Sequence, residues 1–285
     1  MPISTKEDKY GRTIEQLRKH YEVEKELACQ LRNSTKEERR QLYTALYDQL
    51  YSKIPDVPKL TRKADPIATA WVISQRMQLL KHFLKPDTVY LELGPGDCSL
   101  SLEVTKHVKQ VYAVDVSTEL TKNLPTPSNF ELIISDGCSV PAPANSVTVA
   151  YSHQLMEHLH PNDAAEQLQN LYHALAPDGV YICITPNRLS GPHDISRYFD
   201  ETATGFHLKE YTVIELYDLF RQVGFSRVNL YKSYKQSYLS IPLNPLTGAL
   251  FQAVEGALSI LPFSLRRKIA SLPLLFRGMT IVGIK

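Results

Sequence analysis

The chain has 285 residues, 43% of them hydrophobic and 22% charged, a balance that excludes a disordered or fibrous polypeptide and allows a sizeable core. Its 32 basic and 30 acidic residues leave a net charge of +2, so no overall charge draws it to nucleic acid, and no long basic run supplies that attraction locally. The polar stretch 1–19 lacks the apolar centre of a signal peptide and no apolar run is long enough to cross a bilayer, so a cytoplasmic location is expected. Cys29, Cys98, Cys138 and Cys183 are scattered without metal-ligand spacing and read as reduced core thiols, with no metal expected.

Over 13–33, Ile14, Leu17, Tyr21, Leu27 and Leu31 recur at roughly helical spacing among charges, the pattern of an amphipathic helix. Ser34-Thr35-Lys36-Glu37 resembles a capping box and opens a second helix. Its Leu42, Tyr43, Leu46, Tyr47, Leu50 and Tyr51 share one face until Pro55 and Pro58 stop it. These two helices form an N-terminal helical appendage, 1–64, whose tyrosine stripe reads as a packing face or the floor of a substrate pocket, and which offers a surface for a homodimer. A third helix over 66–84 carries Trp71, Met77, Leu80 and Phe83, and Lys85-Pro86-Asp87 turns it into a first strand at 89–93.

From there strands and helices alternate. Strand 110–115 ends in an acid, a short helix lies near Glu119, and strand 130–135 stops at Asp136-Gly137. A fourth strand, 147–152, leads into a histidine-rich segment; a helix over 164–175 and a fifth strand, 180–184, follow. After an irregular polar stretch come a helix over 212–223, a sixth strand at 226–231 and a last strand at 279–284. This alternation predicts an α/β fold: a doubly wound, mostly parallel seven-stranded sheet that binds ligands at the carboxyl ends of its strands. The apolar, proline-punctuated segment 232–278 is expected to be a helical insertion. It reads as a lid over an apolar pocket, as plain packing, or, with Arg266-Arg267-Lys268, as a weak membrane-surface contact through 261–278.

The first strand runs directly into Gly94-Pro95-Gly96 and then into a helix. Two glycines there let a ligand touch backbone, and the free amides of a helix start accept a carboxylate or a phosphate. Gly94, Gly96 and Ser99 occupy the positions of a dinucleotide fingerprint, but its third glycine is a serine. Asp115, at the end of the second strand, stands where an acid accepts hydrogen bonds from ribose hydroxyls. A nucleoside cofactor fits these features, and a nicotinamide-dependent dehydrogenase remains an alternative on them alone.

Several motifs in order resemble a class I S-adenosylmethionine-dependent methyltransferase over about 65–231 plus the last strand, 279–285. Glu92-Leu93-Gly94-Pro95-Gly96 is similar to the first motif, which implies a backbone cradle for the methionine part of the cofactor. The resemblance implies that Asp115, with Val116 after it, binds the ribose diol, and that Asp136, Gly137 and Cys138 meet the adenine. Ser152 to His158 resembles the Ser-x-x-x-x-Glu-His stretch and implies that Ser152 and His153 lie beside the methionine. Leu175-Ala176-Pro177-Asp178-Gly179 resembles the Leu-x-Pro-Gly-Gly turn. Asp178 in place of a glycine, and Thr148 in place of a strand-opening aspartate, depart from the pattern.

The implied activity is methyl transfer from S-adenosyl-L-methionine to an O, N or C acceptor on a small molecule or lipid-like intermediate, by in-line displacement. Positioning dominates such a reaction, and a base is needed only if the acceptor loses a proton. His193, His153 and His158 are the candidates, with Asp194 expected to orient His193. A non-catalytic binding subunit of the same fold is the other alternative.

Overall fold

The computed structural model describes residues 7–56, 66–117, 121, 124–234, 237–272 and 275–285. The short helix expected near Glu119, the stop at Pro58 and Leu274 lie outside these residues.

Helix α1 (Ile14–Asn33) opens on a capping box in which the Thr13 hydroxyl accepts from the Gln16 amide and the Gln16 side chain accepts from the Thr13 amide. Helix α2 (Lys36–Lys53) opens in the same way with Thr35 and Glu38, one residue beyond the box expected at Ser34. Helix α3 (Pro66–Leu80) leads to the sheet. Strands β1 (Val89–Leu93), β2 (Gln110–Asp115), β3 (Phe130–Ile134), β4 (Val147–His153) and β5 (Leu175–Thr185) follow, with α4 (Ser99–Val104) after β1 and α5 (Pro161–Ala174) after β4. Helix α6 (Val213–Val223), β6 (Arg227–Tyr234), β7 (Ser237–Leu243), α7 (Pro245–Ser259), α8 (Phe263–Ala270) and β8 (Met279–Ile284) complete the order.

The strands form one eight-stranded sheet in the order β3-β2-β1-β4-β5-β8-β6-β7. Strands β1 to β5 pair in parallel, and β8 lies antiparallel between β5 and β6. The sheet is the mostly parallel Rossmann-like one expected, with one strand more than the seven predicted. The extra strand, β7, sits at the edge of the sheet inside the stretch expected to be all helix, and its Pro242 is tolerated there because an edge strand needs fewer amide donors. Asp178 takes the left-handed conformation, φ 60°, in which aspartate is several-fold enriched among non-glycine residues. Thr148 acquires a role of its own: its hydroxyl accepts from the Val89 amide at 3.0 Å and donates to the Val89 carbonyl at 3.2 Å, tying β4 to the start of β1.

Strand periodicity sends successive side chains to opposite faces. Leu91, Leu93, Ala150, Tyr181 and Ile281 join one core with α2, α5 and α6, whereas Tyr90, Val149, Tyr151, Ile182 and Val282 join a second with α3 and α4. The N-terminal helices belong to the first of these: Leu27, Leu31, Leu46 and Leu50 are buried in it. The apolar face of the two N-terminal helices is therefore covered by the chain itself. Cys98, Cys138 and Cys183 are buried free thiols as expected, but Cys29 is exposed on α1.

Two polar ties hold α1 and α2 in place. Arg32 of α1 donates to the carbonyls of Thr204, Gly205 and His207, at 2.9, 2.9 and 3.1 Å. Arg39 of α2 forms a fully buried two-pronged pair with Asp163 of α5, at 2.6 and 2.7 Å, and the Tyr43 hydroxyl donates to the same carboxylate at 2.7 Å. Burial pushes the Asp163 carboxyl up, but the Arg39 and Tyr43 bonds outweigh it and hold its pKa below the ordinary value. Its stabilising contribution is thus present above the ordinary carboxyl range and is lost as pH falls below it. Removing one partner leaves a buried charge alone, at a cost of about 3–5 kcal/mol. Asp163→Ala should lower the urea midpoint of unfolding accordingly, and the Arg39→Met, Asp163→Leu double variant should recover most of the loss.

Candidate active site

The first strand ends in a turn with three left-handed residues, Gly94 (φ 65°), Gly96 (φ 63°) and Cys98 (φ 58°). Glycine takes that conformation without strain, which explains two of the three. The Gly94 amide donates to the Val114 carbonyl at 2.9 Å and the Gly96 amide to Asp115 Oδ2 at 3.1 Å. The other carboxylate oxygen, Oδ1, accepts from the Val116 and Ser117 amides at 2.7 and 3.2 Å. One acid thus fixes the ends of both loops. A Cβ built on Gly96 would meet nothing within 4 Å, so the turn is open on the side away from the sheet.

Two cavities meet over this turn. The smaller is closed by Tyr43, Tyr47 and Tyr51 of α2, which face Asp115, Val116 and Gly137. A Cβ on Gly137 would lie 3.0 Å from the Tyr43 ring, so a glycine there lets the helix come this close. The larger, about 600 Å³, is walled by His20 and Glu24 of α1, by Arg12 before it, and by Asp194, Arg197 and His207 from the segment after β5. Tyr47, Tyr51, Gly94, Gly96, Gln154 and His158 line both, and so mark the junction.

The residues singled out from sequence divide into four groups. Gly94, Gly96 and His158 are at the junction; Asp115, Val116 and Gly137 line the smaller cavity; Glu92, Pro95, His153 and His193 line the larger one. Asp136, Cys138 and Ser152 line neither. Asp136 Oδ1 accepts from the Cys138 and Ser139 amides at 3.0 and 2.7 Å, and its Oδ2 faces Arg40 at 3.4 Å, so its carboxylate shapes a turn rather than a cavity wall. Burial pushes the Cys138 thiol up to about 12, which makes it inert near neutrality. Ser152 is fully buried and shares a 2.7 Å hydrogen bond with Tyr181.

His193 is held differently from the expected arrangement. Asp194 turns to the amides of Ser196 and Gly205, at 3.1 and 3.0 Å, and does not orient the neighbouring imidazole. His193 Nε2 instead donates to the Asn187 carbonyl at 3.2 Å, close to the Ser190 hydroxyl at 3.0 Å, while the His193 amide donates to Glu210 at 2.7 Å. Burial lowers its pKa. The segment 232–278, for which a lid was one of three expectations, contributes no described residue to either cavity.

The larger cavity owes most of its chemistry to residues that carry no motif. Arg12 donates to His20 Nδ1 at 2.9 Å, which fixes the tautomer so that His20 Nε2 donates to Glu24 at 2.9 Å. Glu24 also accepts from the Phe206 amide at 2.9 Å. Opposite, His207 Nδ1 donates to Glu210 at 2.7 Å and stands edge-on to His158, ring centroids 4.9 Å apart. Burial works against a charge on His207, but the Glu210 bond and the nearby Glu157 and Asp194 carboxylates outweigh it and raise its pKa. His158 Nδ1 donates to the Phe206 carbonyl at 3.0 Å, which leaves its lone pair on Nε2. Glu157, His158 and His207 each bring one ligand-type atom within 4.8 Å of the others, yet Glu157 already accepts from Thr185 at 2.9 Å. The only hint of this group in the sequence is the Glu157-His158 pair; His207 lies far along the chain.

Glu92 is 2% exposed and accepts from the Ser101 hydroxyl at 2.5 Å. Burial raises its pKa to about 7 despite the opposing pull of Ser101 and Arg76. A raised carboxyl contributes stability below its ordinary value, 4.5, and loses it as pH rises through about 7. The wild-type unfolding free energy should therefore fall over that window, by at most about 3 kcal/mol, relative to Glu92→Gln. Parallel curves for the two proteins in denaturant titrations would contradict this placement of the charge.

Known proteins share parts of this chain and of its fold. The methyltransferase domain family matches residues 91–183, about a third of the chain. A Mycolicibacterium smegmatis protein described as "Probable S-adenosylmethionine-dependent methyltransferase" is 34% identical over 86 residues, 30% of this chain. The match spans 31% of that relative, so this chain corresponds to about a third of its length. Among solved structures, a SAM-dependent methyltransferase from Archaeoglobus fulgidus superposes with a TM-score of 0.52 at 16% identity, covering 76% of this chain and 94% of that one. A Haemonchus contortus phosphoethanolamine N-methyltransferase 2, in complex with phosphomonomethylethanolamine and S-adenosylhomocysteine, gives 0.50 at 16% identity, over 74% of this chain and 52% of that one. At these identities the two structures speak for the fold.

Proposed function

We propose, for a chain whose residues 91–183 match the methyltransferase domain family, that it moves a methyl group from S-adenosyl-L-methionine to a polar acceptor held in the larger cavity. The observation that carries this reading is the meeting of two cavities over Gly94 and Gly96, one aromatic and one polar, with His158 between them. The donor set fits the cofactor. Asp115 offers a carboxylate to a diol, the left-handed glycines leave backbone open to an amino-acid end, and Tyr43, Tyr47 and Tyr51 offer faces to a purine. When bound, S-adenosylmethionine supplies a methyl group already activated by the positive charge on sulfur.

The chain's own work is then alignment and exclusion of water. Effective molarities of about 10⁵ M or more for well-oriented reactants make positioning the largest contribution to the rate. α2 roofs one reactant and α1 walls the other. Where the acceptor must lose a proton, His158 Nε2 receives it at the junction, with the ring held by the bond from its Nδ1 to the Phe206 carbonyl. Arg12, Glu24, Asp194 and Arg197 around the larger cavity favour an acceptor that carries polar or charged groups, on a small molecule or on the head of a lipid, over a wholly apolar one.

Calorimetry with S-adenosylmethionine tests the cofactor. Asp115→Ala should weaken binding at least tenfold, in keeping with about 1.5–3 kcal/mol for a hydrogen bond to a charged group. An unaltered affinity, or no binding by the wild type, would overturn the reading. His158→Ala should leave cofactor affinity within a factor of about three, and lower turnover by about 10²-fold or more on an acceptor that loses a proton. Turnover is followed as S-adenosylhomocysteine formed against amine, phenol and carboxylate acceptors.

A further inference from the structure

We propose that the outward face of α7 and α8 docks the protein on an anionic lipid surface. This rests on residues outside both cavities, and it holds or falls independently of the methyl-transfer reading.

Helix α7 and the loop after it are nearly free of exposed charge. Between residues 237 and 278 the charged side chains are Glu255, Arg266, Arg267, Lys268 and Arg277. Glu255 is the only acid, and it is turned inward: 6% exposed, it accepts from the Val213 amide at 2.7 Å and the Ile214 amide at 3.4 Å, capping the start of α6. Every charge this segment presents to solvent is therefore positive. Away from Glu255, α7 shows Leu246 (81% exposed), Leu250 (64%) and Val254, spaced four apart along the helix. Ile260 (85% exposed), Leu265 and Leu272 are further exposed aliphatic side chains before, on and after α8. The guanidinium groups of Arg266 and Arg267 lie over the Phe263 ring, at 5.5 and 5.9 Å from its centre, and Lys268 is exposed beside them.

Long exposed aliphatic side chains in one patch are unfavourable in water and mark a surface that is covered in use. The charge pattern selects the cover. A protein partner is ordinarily met with charges of both signs around an apolar centre and with aromatic anchors. Here the most exposed apolar side chains are aliphatic and every charge that the segment itself presents is cationic, which matches a leaflet of acyl chains beneath anionic headgroups. No helix among the described residues is long and apolar enough to cross a membrane, so the contact is a lying one. It also has a sensible position. α8 packs on the turn Arg188–Ser190, and Arg267 is near enough to Arg197 and Glu210 to feel their charges, so the docking face adjoins one wall of the larger cavity.

The full-length protein is sedimented with vesicles of phosphatidylcholine alone and of phosphatidylcholine with phosphatidylserine. Binding should be at least tenfold stronger to the anionic vesicles and weaken with added salt. The substitutions Leu246→Glu with Leu250→Glu, and separately Lys268→Glu at an exposed position, should each reduce it at least tenfold while leaving cofactor binding and the unfolding midpoint unchanged. Three results would overturn the proposal: wild-type protein that stays in the supernatant with both vesicles, variants that bind like the wild type, or a wild-type dimer dispersed by Leu250→Glu with no vesicle binding. That last outcome would assign the face to a second copy of the chain. Vesicle binding without cofactor binding would sustain the docking and overturn the methyl-transfer reading alone.

Discussion

The buried pair between Arg39 and Asp163 is the contact on which the rest of the site depends. The glycine turn and Asp115 come from the sheet and would exist without α2, but they would form a groove open to water. It is α2, clamped to α5 through that pair and through Tyr43, that sets three tyrosines over the groove and turns it into an enclosed space. The same helix reaches the second strand's exit loop, where Thr44 donates to the Val116 carbonyl at 2.6 Å. A charge pair buried in this way is a weak source of net stability, since its desolvation offsets most of its attraction. Its value here is positional: the two-pronged geometry fixes the helix in rotation as well as in distance.

A second constraint runs through α1. Arg32 binds three carbonyls of the segment after β5, and Glu24 binds the Phe206 amide of the same segment. The walls of the larger cavity therefore come from two segments far apart in the chain and hold each other. His20, Glu24, His207 and Glu210 are all nearly buried, and each polar atom described above has a specific partner, as buried polar groups require.

How much of this was legible in the sequence follows from how local each signal is. The β1 turn and Asp115 were readable because a strand, two glycines and an acid at the next strand's end are each set by neighbours a few residues away. The doubly wound sheet was readable for the same reason. Asp136 shows the limit of such reading: a motif position predicts a residue type at a strand end, but its carboxylate is free to turn, and here backbone amides and Arg40 win it. Asp194 fails as the partner of His193 in the same way, because nearer amides claim it. His20 and Glu24 gave no signal, since polar residues on an amphipathic helix look like a solvated face until a distant segment covers them, and Arg12 and His207 gave none because they lie in irregular stretches that only the fold brings together. β7 was missed because its serines and Pro242 dilute the alternation that marks a strand.

The double duty of Asp115 has a consequence for how the site fills. One of its oxygens already holds the Gly96 amide, and the other holds the amides of Val116 and Ser117. A diol at this carboxylate, as proposed above, would share an oxygen with the bond that shapes the turn, so the far end of the groove would feel an event at the near end. Two fragments of a ligand, one carrying the sugar and one the amino acid, would not bind here as independent guests. Their affinities would be coupled through a single side chain.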